Sequence, residues 1–126
     1  MSSHILIPLD GAPSDRTIRV GWDAPLATFF AHVLDNPIGD ADEPVALMST
    51  GGQPYEVPDV DVILGLIAPY AVIPSDLREQ LIAEEAAEGD SFAGRPGSAV
   101  VARVALQNLE DPRQIAAIRA AMPDLP

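Results

Sequence analysis

The segment GWDAPLATFFAHVLD, residues 21–35, brings a histidine close to a carboxylate. His32 and Asp35 are three positions apart and Thr28 lies four positions before His32, so a helix would place all three on one polar face. An acid beside a histidine is part of the base-and-orienter arrangement used in acid–base catalysis. The favoured alternative is an exposed polar face, where such a pair contributes about 0–1 kcal/mol.

Nucleophiles that such a base would activate are scarce. The chain contains no Cys and no Lys, which excludes thiolate nucleophiles, Cys-ligated zinc, Schiff-base chemistry and the phosphate-binding lysine of a P-loop. The segment GDSFAG around Ser91 departs by one residue from the G-x-S-x-G turn, and no predicted strand precedes it. We therefore assign no catalytic residue and expect no cofactor.

Two groups of carboxylates have the oxygen ligands that a hard cation prefers. Asp40, Asp42 and Glu43 lie in one loop, and Asp59 and Asp61 form a D-x-D pattern at a predicted helix start. Neither group matches the twelve-residue calcium loop with its central Gly and terminal Glu. Acids in a first helical turn also complement the helix dipole, so we expect no metal site.

A third group of acids lies where it opposes the helix dipole. Glu84, Glu85, Glu88 and Asp90 crowd the C-terminal end of a predicted helix, where each negative charge typically costs about 0.3–1 kcal/mol at low salt. A basic partner would explain this arrangement, and so would screening in a salty cytoplasm. The simplest alternative is a solvated acidic face.

The net charge of −12 is confined to the middle of the chain. Residues 35–90 hold 13 of the 19 carboxylates and one base, Arg78, whereas the two flanks carry equal numbers of acids and Arg. A uniform coding or habitat bias would spread the charge more evenly, so this segment is interpreted as the partner-binding region. The predicted partner-binding residues are Asp40, Asp42, Glu43, Glu84, Glu85, Glu88 and Asp90.

The favoured hypothesis is a non-catalytic, acidic protein-interaction module of the bacterial cytoplasm that binds a basic protein partner through residues 35–90. One alternative is a nucleic-acid-mimicking inhibitor of a nuclease, because dense carboxylates imitate a backbone with one charge per ~1.7 Å of duplex axis. A second alternative is a small enzyme that uses His32 with a carboxylate. Direct nucleic-acid binding is not expected, because the six Arg of the flanks are scattered and balanced by acids.

The hydropathy pattern predicts a cytoplasmic protein that does not contact membranes. No stretch approaches 18 consecutive apolar residues, and MSSHILIPLDG has no basic region before a hydrophobic run, which argues against a secretory signal. Pro8 is typical of a sheet edge, and an exposed edge leaves a homodimer open as a further hypothesis.

Two strands and a helix are predicted for the first third of the chain. Residues 4–9 and 16–22 alternate as strands do, on either side of the turn DGAPSD. Asp23 as N-cap and Pro25 in the first turn then predict a helix that runs to about Asp35, with Leu26, Phe29, Phe30, Val33 and Leu34 on its apolar face.

The remaining elements predict a single α+β domain over residues 1–126. A strand over 45–49 is followed by helices over 59–68, 76–88 and 112–122, with Ser75 and Asp111 as caps of the last two. The segment SAVVARVAL from residue 98 fits both a strand and a helical stripe, and its β-branched density favours a strand. The resulting order, ββαβααβα, predicts a small mixed or antiparallel sheet of about four short strands covered by about four helices.

Overall fold

The computed structural model describes residues 2–13, 15–35, 45–94 and 97–123. Within these ranges five strands form one antiparallel sheet in the order β4-β3-β2-β1-β5, accompanied by four helices. The predicted α+β class, with a small sheet and about four helices, is confirmed. In chain order the elements are β1 (Ser2–Pro8), β2 (Arg16–Asp23), β3 (Thr28–Asp35), β4 (Val45–Thr50), α1 (Val60–Ile67), β5 (Ala71–Val72), α2 (Leu77–Glu88), α3 (Ser98–Asn108) and α4 (Pro112–Ala121).

The first four strands form a meander that buries one face beneath the helices. Ile18 of β2 lies opposite Leu6 of β1 and Val33 of β3, and Met48 of β4 continues this row. Side chains alternate between the two faces of a strand, so this row and its alternate neighbours share one face. Helix α1 packs against β3 on this covered face, and α2 packs against β2. The largest fully buried hydrophobic side chains are Phe29, Ile18, Ile63, Ile67, Leu77, Leu81, Ile118, Val20 and Val33.

The predicted helix over residues 25–35 is wrong, because this segment forms β3. Phe29 and Val33 enter the core, whereas Phe30 and Leu34 point to the opposite face of the sheet. A central strand with two apolar faces produces a nearly continuous apolar run, which the helical period of 3.6 fits as well as the strand period of 2. The β-branched and aromatic residues of TFFAHVLD are accommodated by pairing with both neighbouring strands.

Asp23 and Pro25, which predicted the start of that helix, instead shape the turn between β2 and β3. The Leu26 amide donates to the Asp23 carboxylate at 3.2 Å, and the Ala27 amide donates to the Ala24 carbonyl at 3.1 Å. Ala27 has a φ of 52°, the left-handed conformation that returns the chain. The same residue types serve at turns and at helix starts because both need a side-chain acceptor for an early amide.

The predicted strand from residue 98 is also wrong, because Ser98–Asn108 forms α3. Ser98 and Ala102 are its buried residues, four positions apart on one helical face, while Val100 and Val104 remain exposed. The small residues therefore make the close contact with the core and the β-branched residues do not. Tertiary packing overrides the β-propensity on which the strand prediction relied.

The other three predicted helices are confirmed as α1, α2 and α4. Asp59 and Asp111 cap α1 and α4, accepting the amides of Asp61 at 2.8 Å and Arg113 at 2.9 Å. Helix α2 begins after Asp76 rather than at the predicted Ser75 cap and has no side-chain cap hydrogen bond. The two-residue strand β5, which pairs with Ile7 and Pro8, was not predicted, because two residues show no periodicity.

Candidate functional site

The predicted partner-binding residues fall into two groups. Asp40, Asp42 and Glu43 lie outside the residues that the structure describes. Glu84, Glu85 and Glu88 belong to the last two turns of α2, and Asp90 follows the Gly89 that ends this helix. The four described acids have different surroundings, so their roles must be separated.

Glu84 connects α2 to the sheet. Its Oε1 lies 2.5 Å from Nε2 of His4 on β1, and both side chains are only about a quarter exposed. Its other oxygen, Oε2, is buried and has no hydrogen-bond partner among the described residues. Glu84 is therefore held on the covered side of the sheet, where it is poorly placed to meet a partner.

Asp90 organises the loop after α2. It accepts hydrogen bonds from the Tyr55 hydroxyl at 2.5 Å and from the Phe92 amide at 2.9 Å. Burial and the bond to Asp90 raise the pKa of Tyr55 well above its usual range, so the hydroxyl remains a donor. The Tyr55 ring packs edge-on against Phe92 with 5.5 Å between the ring centroids.

The carboxylates of Glu85 and Asp90 line a cavity that two aromatic residues complete. The cavity holds about 230 Å³ and is lined by Trp22, Tyr55, Pro58, Glu85, Gly89 and Asp90. The Trp22 indole N–H donates to the Gly89 carbonyl at 3.0 Å, and its ring lies 4.8 Å from that of Phe29. Both aromatic rings are thus fixed by a hydrogen bond at their polar end and by an aromatic neighbour.

A second cavity adjoins the first, because Pro58 and Glu85 line both. It is lined in addition by Asp59, Val60, Ala116, Ala117 and the basic residue Arg113. We call the two cavities together the acidic groove. Its carboxylates come from the end of α2, from the loop after it and from the cap of α1.

Glu85 has the least favourable surroundings in the acidic groove. Partial burial is the main cause that raises the pKa of its carboxyl, and the nearby negative charge of Asp59 adds to this effect. Among the described residues, the Glu85 carboxylate has no hydrogen bond or ion pair. A carboxylate that is partly desolvated and faces another acid would gain from a cation.

The predicted pair of His32 and Asp35 does not form. The two residues are three positions apart on β3, so their side chains point to opposite faces of the sheet. Asp35 instead accepts two hydrogen bonds from Arg16, at 2.8 and 3.1 Å, and this guanidinium lowers the pKa of the Asp35 carboxyl. Thr28 is fully buried, and its hydroxyl bonds backbone atoms of Phe29 and Val57.

The remaining predicted candidates have structural roles. Ser91 follows a helix rather than a strand, and its amide donates to the Ala24 carbonyl, so the turn of a nucleophile elbow is absent there. Asp59 caps α1 and Asp61 pairs with Arg78 at 2.8 Å. In the described ranges no three His, Asp or Glu side chains converge as metal ligands.

Trp22, Tyr55 and Pro58 were not predicted as site residues. Each is distant in sequence from α2, and backbone bonds from the Tyr55 amide to Leu26 and from the Phe29 amide to Val57 bring residues 55–58 beside the sheet. The concentration of acids around Glu85 was the available signal, whereas the aromatic walls required knowledge of the fold.

Comparisons with known proteins identify no relative: no protein-family model, no curated protein and no solved structure matches this chain. In the part of the chain that the structure describes, none of the helices has the length and apolar character needed to cross a membrane.

Proposed function

We propose that the chain is a non-catalytic protein-interaction module of the bacterial cytoplasm that binds a basic segment of a protein partner in the acidic groove. The observation that carries the proposal is Glu85, a partly desolvated carboxylate that faces Asp59 and has no ion pair among the described residues.

The chemistry of the groove favours a guanidinium as the group that is bound. Glu85 and Asp90 supply charge at the first cavity, and Asp59 extends it into the second. Trp22 and Tyr55 also line the first cavity, but they are only 4% and 6% exposed, so they limit the access of water to a bound cation more than they offer a surface for stacking. An Arg side chain suits this arrangement, because its planar group pairs with carboxylates through two hydrogen bonds and is more weakly hydrated than an ammonium group.

Binding of a cation should depend on pH through Glu85. A bound cation stabilises the ionised carboxylate, whereas burial and Asp59 raise the pKa of the empty site. Affinity is therefore expected to be highest above this raised pKa and to fall as the pH decreases through it. The binding reaction releases a proton when it starts from the protonated site.

The proposal is tested with the peptide Gly-Arg-Gly-Arg-Gly and the variants Glu85→Gln and Glu79→Gln, using calorimetry at low salt. Glu79 is an exposed acid in the first turn of the same helix, so its variant removes the same charge away from the groove. We expect Glu85→Gln to weaken binding at least tenfold, about 1.4 kcal/mol, and Glu79→Gln to weaken it less than twofold.

Equal losses in the two variants would show that the peptide responds only to net charge, and the groove proposal would be wrong. Peptide binding that survives both substitutions would also contradict it. If duplex DNA displaces the chain from a captured basic partner, the alternative of a nucleic-acid mimic is favoured, because one surface of the partner then binds both.

A further inference from the structure

The face of the sheet opposite the helices carries a second pocket of different chemistry. On this open face the buried Gly21 of β2 lies between Ser3 of β1 and Phe30 of β3, and both of these neighbours line the pocket. The pocket there holds about 290 Å³, close to the lower size of small-molecule sites. Buried Phe30 forms part of its lining, and Leu26 adds a second apolar group.

One end of this open-face pocket carries nitrogen donors. Arg19 and His32 face each other across β2 and β3, and both line the pocket. Arg19 is exposed, and its guanidinium makes no hydrogen bond or ion pair with any residue that the structure describes. Its five N–H groups are thus free to bind an acceptor, in the fork geometry that suits carboxylate and phosphate oxygens.

The orientation of His32 adds a further donor. Its Nδ1 lies 2.8 Å from the hydroxyl oxygen of Ser49 on β4. When Ser49 donates to Nδ1, the proton of the neutral ring resides on Nε2, and the imidazolium carries one there as well. An anion beside Nε2 favours the Nε2–H tautomer and the imidazolium over the other neutral tautomer. When Ser49 donates to Nδ1, it favours the same Nε2–H tautomer, in which His32 donates to the anion.

The other end of the pocket carries one acid. Asp23 lies four positions after Arg19 on β2, about 13 Å along the strand, and accepts the Leu26 amide at 3.2 Å. A negative group is therefore repelled at this end and attracted at the other. This polarity fits a ligand with a single anionic group and an uncharged, apolar body.

We propose that the open-face pocket binds a small organic anion, with its carboxylate or phosphate group at Arg19 and His32 and its apolar body against Leu26 and Phe30. Non-specific electrostatics cannot mimic such binding, because a net charge of −12 repels anions from the molecule as a whole. The site is independent of the acidic groove, since the two share no lining residue.

The protein is titrated with benzoate, phenyl phosphate and terephthalate in separate experiments. The side-chain NMR signals of the two histidines report binding. His32 should shift on saturation, while His4, which contacts Glu84 on the covered face, should not. The preference between benzoate and phenyl phosphate identifies the anionic group. Terephthalate, with a second carboxylate directed toward Asp23, should bind at least tenfold more weakly than benzoate.

Two arginine variants decide whether the donor end binds the anion. Arg19→Gln should weaken the preferred ligand at least tenfold, whereas Arg103→Gln, which removes an exposed charge from α3, should change affinity less than twofold. Equal shifts of His4 and His32, or equal losses in the two variants, would overturn the proposal. A lack of saturation by both benzoate and phenyl phosphate would overturn it as well.

Discussion

Trp22 and Asp23 are consecutive residues of β2, yet they line sites on opposite faces of the sheet. On the covered side, Trp22 lies beside the carboxylate of Glu85, whereas on the open side Asp23 shares a pocket with the guanidinium of Arg19, and neither charged group has an ion pair within the described ranges. The sign of each site is therefore set by its immediate neighbours and not by the net charge of the chain. A chain with a large net negative charge can therefore carry a positively charged site where no acidic side chain lies next to an Arg on the face of a sheet.

The largest expected difference between the two faces concerns stability. Phe29→Ala on the covered face should lower the free energy of unfolding by about 3–5 kcal/mol, because it leaves a cavity in a fully buried position. Ile5→Ala on the open face should lower it by less than about 1 kcal/mol, because that side chain is 61% exposed. Urea unfolding measures both, and similar losses would mean that the open face is covered in solution.

A smaller effect is expected at Gly51, which lies beside the open-face pocket. Its φ of 90° is unfavourable for other residues, and an added Cβ would lie 2.5 Å from the Phe29 carbonyl oxygen. Gly51→Ala should therefore lower the free energy of unfolding by about 1–3 kcal/mol. Gly52→Ala is the matched control, because its Cβ would meet no atom within 4 Å, and an equal loss there would contradict this explanation.

The smallest effects are expected from two carboxylates that respond to pH in opposite directions. Arg16 lowers the pKa of Asp35, so its stabilising contribution is present above the unfolded pKa and is lost as the pH falls through the folded pKa. Burial raises the pKa of Glu85, so its contribution is present below the unfolded pKa and is lost as the pH rises through the folded pKa.

Urea midpoints between pH 3 and pH 7 should separate these two carboxylates. Relative to the unmodified chain, Asp35→Asn should be less stable at pH 7, with a difference that shrinks on acidification. Glu85→Gln should gain stability relative to the unmodified chain as the pH rises. Parallel pH profiles for both variants would contradict the opposite environments described for the two carboxylates.

Features of the fold that depend on local chemistry were predictable from the sequence. Asp59 and Asp111 mark helix starts because a side-chain oxygen accepts an amide two residues later, and Gly89 ends α2 in a conformation with positive φ. Residues 28–35 and 98–108 were assigned to the wrong element because each pattern fits both periods. Their structures depend on pairing with β2 and β4 and on packing of Ala102, which are contacts distant in sequence.

The candidate sites show the same division. Glu85 and Asp90 stood out in the sequence because they oppose the dipole of α2, but the aromatic residues beside them are brought there by the fold. His32 was singled out with the wrong partner, because a helical period pairs it with Asp35, whereas the sheet register pairs it with Arg19 and Ser49. Register between strands is set by long-range packing, which composition and spacing do not contain.

From the strand order β4-β3-β2-β1-β5 we expect strands that are close in sequence to pair earlier in folding than strands that are far apart in sequence. The hairpins β1–β2 and β2–β3 join consecutive strands with short connections, and hairpins form in about 1–10 μs. Strand β5 is separated from β1 along the chain by β2, β3, β4 and α1, so their pairing closes a much longer loop. The open-face pocket is built almost entirely from the meander and can form with it. The acidic groove needs α2 and residues 55–58 in place, so the capacity to bind a cation should be the last to appear as the chain folds.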